Sequence, residues 1–193
     1  MLRGIGCLPK KKLSSDPQAS RPHMPGYGMM FQGGWKALPW TWVVRRLSTA
    51  HNYWVATTRK DCRPHVMPVW GIWLDGMFYF STGRRSRKSR NLSMNPNCVI
   101  CPEGAREAVI MEGIAEELRD SDLRRRVRDV YKKKYDSDLN SYSADPIYAV
   151  RPRVMFGLVE NSNKVRGNPT RWRFEPFLLR QEGKQQDERG RSV

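Results

Sequence analysis

Eleven residues, STGRRSRKSRN (Ser81–Asn91), hold five cations and directly follow the apolar, aromatic run GIWLDGMFYF. A strand that ends in Ser81, Thr82 and Gly83 and leads into a cationic helix start suits an anion. Hydroxyls and free backbone N–H groups point outward there, and the helix dipole favours negative charge. Arg87 and Lys88 add charge-assisted donors, and an arginine can grip a phosphate with two of them at once. On spacing alone, a solvated basic face accounts for the run equally well.

Other chemistry-bearing residues are less organised. Six of the seven tryptophans (Trp35, Trp40, Trp42, Trp54, Trp70 and Trp73) precede Asp75. They could wall a planar cofactor, although ordinary core or interface packing explains any one of them more simply. Cys98 and Cys101 have the spacing of a metal-ligand pair, and Cys62 and His65 would complete four ligands. The pair falls within a strand, whose alternation sends the two thiols to opposite faces, so no metal is expected. His23 and His51 have no acid at a telling distance along the chain, and no hydrolytic triad is visible. Nor do aromatics interleave with the basic run as they do in nucleic-acid readers.

The elements that must position these residues follow from periodicity. LPWTWVVRRLSTAHN places Trp40, Val43, Val44 and Leu47 at helical spacing, with Pro39 in the first turn. Tyr53–Arg59 reads as a strand followed by a KDCR turn. His65–Leu74 and Met77–Thr82 flank Asp75-Gly76, a two-residue hairpin signal. A short helix is expected over Arg84–Ser93, ending before Asn95-Pro96. Strands are expected at Cys98–Glu103 and Ala108–Leu118. A helix capped by Ser121-Asp122 comes next, with a stripe of Leu123, Val127, Val130 and Tyr131. Ile147–Glu160 is strand-like but interrupted at Pro152, and Thr170–Phe174 alternates again. The fold class is mainly β (α+β): a six- to seven-stranded antiparallel barrel with two or three peripheral helices.

A chain of 193 residues accommodates one domain with tails. Residues 1–33 read as a flexible basic arm, partly ordered near Gly26–Gly34. Residues 34–178 form the domain, and 179–193 a charged tail. The net charge is +16, of which residues 37–179 retain +10, so the basicity is not confined to the ends. With 39% apolar residues, a mean hydropathy of -0.70 and no apolar run near the ~18–20 residues of a membrane span, no membrane is expected. Four scattered cysteines and no sustained hydrophobic leader point to the cytoplasm.

The stretch RPHVMPVWGIWLDGMFYFSTGRRSRKSRNLSMNPNCVI (Arg63–Ile100) resembles the flavin- and deazaflavin-dependent oxidoreductases of the split β-barrel superfamily, whose best-known member is pyridoxamine 5'-phosphate oxidase. With the PGYG, LPW–W, YWVATTR and TRWRF segments, the resemblance runs from about Gly26 to Phe174 and is nearest to the branch that uses coenzyme F420. It implies a split barrel and a homodimer with cofactor at its interface. The cofactor is coenzyme F420, favoured, or FMN. The implied activity is hydride transfer to a small unsaturated organic substrate, with the catalytic group unassigned. By position, Ser81, Thr82, Arg87 and Lys88 match phosphate contacts. His65, Val66, Met67, Pro68, Val69 and Trp70 match the strand against the flavin-like ring, and Trp172 and Arg173 the end that closes over it. Arg84, Arg85 and Arg90 exceed one phosphate and suit a longer anionic tail. The chain reads RWRFEPFLLRQ where pyridoxamine phosphate oxidases end in an arginine–histidine motif, which speaks against that substrate. Two alternatives stand beside this reading: an FMN-dependent enzyme of the pyridoxamine phosphate oxidase type, and a basic nucleic-acid- or cofactor-binding protein without turnover.

Overall fold

The structure is a computed structural model that describes residues 16–25, 35–137, 139, 145–160 and 169–174. Among them lie nine strands and three α-helices. In chain order these are β1 (Gln18–Ser20), α1 (Trp40–Thr49), β2 (Tyr53–Thr58), β3 (Pro64–Val69), β4 (Gly71–Leu74), β5 (Met77–Ser81), α2 (Arg87–Met94), β6 (Asn97–Pro102), β7 (Glu107–Glu117), α3 (Ser121–Tyr135), β8 (Ile147–Val159) and β9 (Thr170–Arg173). Six or seven strands are expected, in seven named segments; the described residues hold two more than those seven. One is β1, which lies within the 1–33 arm and pairs with β9. The other arises because the run expected as one strand, His65–Leu74, divides at Trp70 into β3 and β4. The rest of the arm, 1–15 and 26–33, and the 179–193 tail lie outside the described residues.

All pairings are antiparallel, in the order β1-β9-β8-β7-β6-β2-β3, with β5 also on β8 and β4 on β5. Because the chain passes from β3 through Trp70 straight into β4, the β3 end of this array is joined to the β4–β5 branch, and the sheet curls into a barrel. The β4–β5 hairpin turns at Asp75 and Gly76, with φ of 51° and 79°, the two positive values a two-residue turn of this hand requires.

Pro152 does not interrupt β8. It sits at a bulge, where Glu112 faces Val154 and Gly113 faces Pro152, leaving Arg153 without an opposite number on β7. There the other edge of β8 passes from β5 (residues 147–150) to β9 (residues 154–157), so a residue lacking an N–H is tolerated. Gly113 is required at this crossing, since a Cβ would lie 2.5 Å from the Arg151 carbonyl oxygen.

Alternation on β5 splits the interior in two. Phe78 and Phe80 join Val43 and Leu47 of α1, Tyr53, Val55, Ile100, Met111, Met155 and Trp172 in the larger core. Tyr79 faces the other way, with Ile72, Ile147 and Ala149, under Val127 and Tyr131 of α3. The expected stripe on α3 is therefore its packing face. Its cap lies one residue earlier than expected: the Asp120 carboxylate accepts the Leu123 N–H at 2.8 Å, while Asp122 sits in the first turn and pairs with Arg125. No helix among the described residues is long and apolar enough to cross a membrane.

Gly113→Ala is expected to cost about 1–3 kcal/mol, the usual penalty for forcing atoms into a filled space. Urea unfolding should show this as a lower midpoint at an unchanged slope.

Candidate functional site

At the end of β5 the Ser81 hydroxyl donates to the Pro146 carbonyl at 3.1 Å. Thr82 donates to the Ser86 hydroxyl at 3.1 Å, and Ser86, the N-cap of α2, accepts the Ser89 N–H at 3.1 Å. The strand–turn–helix expected from the sequence is therefore present and held by its own hydroxyls. Its cations then diverge. Arg84 turns to Glu117 at 2.9 Å, and its N–H donates to Asp145. Arg85 and Arg90 are exposed. Arg87, with Arg59, Lys60, Asp61 and Arg63, lines an open depression of about 440 Å³.

Arg59, Lys60 and Arg63 belong to the β2–β3 turn. Arg59 N–H donates to the Arg63 carbonyl at 2.9 Å, and Cys62 takes a left-handed φ of 63°. Asp61 holds the Arg63 guanidinium with two bonds of 2.8 and 3.0 Å. The Arg59 Nε is buried and has no hydrogen-bond partner among the described residues, an unsatisfied donor beside the depression. A buried bond joins turn strand to helix: the Asn91 amide on α2 donates to the Thr57 hydroxyl on β2 at 2.9 Å. Thr57 in turn lies 3.4 Å from His65 Nδ1 on β3.

The electrostatics agree with this geometry. Burial, then the neighbouring Arg59, Lys88 and Arg87, hold the His65 pKa below its ordinary value. Burial likewise lowers that of half-buried Lys88. Arg59, Lys60, Arg63, Arg87 and Lys88, five cations, thus lie about His65 with Asp61 as the acid lining the depression, and an incoming anion would relieve their mutual repulsion.

Beyond His65 the strand is apolar and open. Val66 is 49% exposed, Trp70 42% and, on adjacent β2, Trp54 47%; Met67 and Pro68 are exposed as well, and only Val69 is buried. The sequence-expected residues therefore fall into two groups. His65, Arg87 and Lys88 come together, Thr82 stands at the same helix start, and Val66–Trp70 extend from them along β3. Trp172, by contrast, is 1% exposed and built into the larger core, 5.9 Å from Trp40; Arg173 is exposed on β9. Trp40 and Trp73 are core-packed too. Cys98 and Cys101 occupy opposite faces of β6, and burial pushes the Cys98 thiol up to about 12. Sequence reading missed Arg59, Lys60 and Arg63. The charge run RKDCR is their only signal, and there Arg59 reads as a strand end and KDCR as a turn.

The family described as Pyridoxamine 5'-phosphate oxidase matches residues 43–156, more than half of the chain. The chain belongs to this family. The match takes in β2 to β7, α2, α3 and most of β8, hence every group in the cationic neighbourhood. Solved structures share the fold at low identity. A conserved hypothetical protein from Mycobacterium tuberculosis is 18% identical, with 62% of this chain and 83% of that chain covered and a TM-score of 0.56. The heme storage protein of Vibrio cholerae is 18% identical, covering 57% and 87%, with a TM-score of 0.52. A putative pyridoxamine 5'-phosphate oxidase from Listeria innocua is 14% identical, covering 60% and 94%, with a TM-score of 0.50. No curated protein matches.

Followed by NMR, the His65 ring is expected to titrate below 6.5 in the free protein and to shift upward when inorganic phosphate is added. In the Lys88→Ala variant its midpoint should already be higher without phosphate.

Proposed function

We propose that the chain is a cofactor-dependent oxidoreductase that binds coenzyme F420, or alternatively FMN, and transfers hydride to a small unsaturated organic substrate. The observation that carries this reading is the junction on β3: a cationic pocket at His65 continues into an exposed apolar strand ending in Trp70. A ligand with an anionic end and a planar apolar body matches both halves. The donor set fits a phosphate: Arg87 and Lys88 stand at a capped helix start, and Arg59 lines the same depression as Arg87.

In this assignment Arg87 and Lys88 bind the phosphate, and Arg59 adds a donor from the facing turn. Thr82 and Ser86 hold the helix start at which it docks. Ser81, whose proton is given to Pro146, serves the loop. Val66, Pro68 and Trp70 shield one face of the ring from water, Met67 projects to the other face of β3, and buried Val69 anchors the strand in the core. Arg173, exposed, is the member of the Trp172–Arg173 pair able to reach a ligand, and buried Trp172 supports its strand. When bound, the reduced cofactor supplies hydride to an electron-poor C=C or C=N bond. Tyr79 is no candidate for the accompanying proton, since it is buried under α3 with its phenol pushed up to about 12.

The preference for coenzyme F420 rests on surplus charge: Lys60 and Arg63 line the pocket beside Arg59 and Arg87, more than one phosphate neutralises. Homodimerisation with the cofactor at the interface is supported by the exposed apolar residues Trp54, Val66, Pro68 and Trp70, an uncovered patch of the kind that marks interaction surfaces. The proposed compartment is the cytoplasm, consistent with three free cysteines among the described residues. Binding without turnover is the second reading, motivated by the basic charge and by the fold shared with a heme storage protein.

Titration of the purified protein with coenzyme F420, FMN and hemin in parallel, followed by cofactor absorbance and fluorescence, separates these readings. Saturable F420 binding, lost by on the order of 100-fold in the Arg87→Ala, Lys88→Ala double variant, is the expected result. Tighter FMN binding moves the protein to flavin chemistry. Hemin binding alone, or nucleic-acid binding alone with a steep salt dependence, refutes the oxidoreductase reading.

A further inference from the structure

Trp70 occupies the point where the chain leaves β3 for β4. It is exposed, yet its ring is held. Tyr135, the last residue of α3, stacks on it with centroids 4.9 Å apart and planes 7° apart, and His51 meets it edge-on at 5.7 Å. The support beneath is polar. The Tyr135 hydroxyl accepts the Gly71 N–H at 2.9 Å and lies 2.8 Å from both the Gly71 and His51 carbonyls, to one of which it donates. Lys134 donates to the same Gly71 carbonyl at 3.0 Å and to the Tyr53 hydroxyl at 2.7 Å. Tyr53 passes its own proton to the end of α1, at Leu47 or Ala50, 2.6 and 2.9 Å away. The last turn of α3 therefore holds one residue by both its N–H and its carbonyl. That residue has no room for a side chain: a Cβ on Gly71 would fall 2.3 Å from Phe78 Cζ.

We infer that Lys134 and Tyr135 are positioning residues that fix the Trp70 indole beside the β3 site by clamping the Gly71 backbone at its N–H and carbonyl. The inference rests on the reading of β3 as the ligand-facing strand. An exposed indole ordinarily loses rotamer freedom when a ligand packs against it, and a clamp removes that cost in advance. The side chains facing the Lys134 ammonium are Tyr53 from β2, Tyr135 from its own helix and Glu103 from the end of β6. Glu103 is the acid among them, and it is already bonded to the His51 N–H and the Asn52 amide. Burial brings the Lys134 pKa down to about 8 against the pull of Glu103. Above that pH the neutral amine keeps its N–H donors but loses the charge that strengthens them, so the clamp loosens.

The test starts on the free, full-length protein, labelled with ¹⁵N. Tyr135→Phe keeps the ring stack and removes the hydroxyl. At pH 6.5 it should lower hydrogen-exchange protection of the Gly71 amide about tenfold and move the Trp70 indole resonance, while core amides such as Ile100 keep theirs. Lys134→Met should give a smaller loss, and Lys134→Arg should restore most of it. Unchanged Gly71 protection in Tyr135→Phe, or a loss spread evenly over the core, overturns the clamp. The second arm is cofactor affinity against pH. Wild type should weaken above about pH 8, and Lys134→Met should be flat across that range. An affinity profile that neither variant alters overturns the positioning role. If wild type binds neither F420 nor FMN, the cofactor reading fails on its own, and the clamp, decided on the free protein, stands.

Discussion

The change of partners at Trp70 and Gly71 is the constraint on which the architecture rests. Up to Val69 the chain is hydrogen-bonded to β2, and from Gly71 onward to β5. One short segment thereby belongs to two parts of the sheet, and this turns an open array into a barrel. The bend succeeds because Gly71 lets β4 lie against Phe78 and the Tyr79 backbone at distances no Cβ permits. Everything on either side inherits its orientation from that point. Upstream lies the exposed run of β3, and downstream β5 presents Phe78 and Phe80 to one core and Tyr79 to the other.

The cationic pocket depends on a second, smaller device. Its members come from two stretches of chain, the β2–β3 turn and the start of α2, whose charges repel. Asn91 and Thr57, both buried, bridge helix and strand directly beneath them. A satisfied polar pair at that depth tolerates few alternative placements of the helix. It therefore sets the spacing between Arg87 and Arg59 more firmly than an apolar contact would. Asp61 supports the same end by orienting the Arg63 guanidinium while leaving the pocket strongly positive.

What the sequence disclosed follows the range of the forces involved. α1 was legible from Trp40, Val43, Val44 and Leu47, because its packing face is written at local spacing. So was the β4–β5 hairpin, because only certain residues accept two successive positive φ values. A helix after β5 was also legible, but it starts at Arg87 rather than the expected Arg84, because Ser86 takes the cap and Ser81–Arg85 remain a turn. The division of β3 from β4 was not, because each half is defined by a partner distant in sequence. Pro152 misled for the same reason: its missing N–H matters only if a neighbouring strand needs it, and there β8 is between neighbours. β1 is three residues long and has meaning only against β9. Arg59 and Arg63 come to line one depression with Arg87 through the packing of α2 on β2, which no spacing in their own segment encodes.

The way β8 is shared bears on how the chain reaches this state. Strand pairs β2–β3, β4–β5 and β6–β7 are sequence neighbours and form with little loss of chain entropy. β8 must instead pair with β5 across more than sixty residues and extend along β7 at the same time. Contacts of that separation are slow to form, so closure at β8 belongs late in folding. Until then the Phe78–Phe80 edge stays unpaired beside exposed apolar surface, the combination that favours association between incompletely folded chains. The strand that completes the barrel is thus also the one that ends its most vulnerable interval during synthesis.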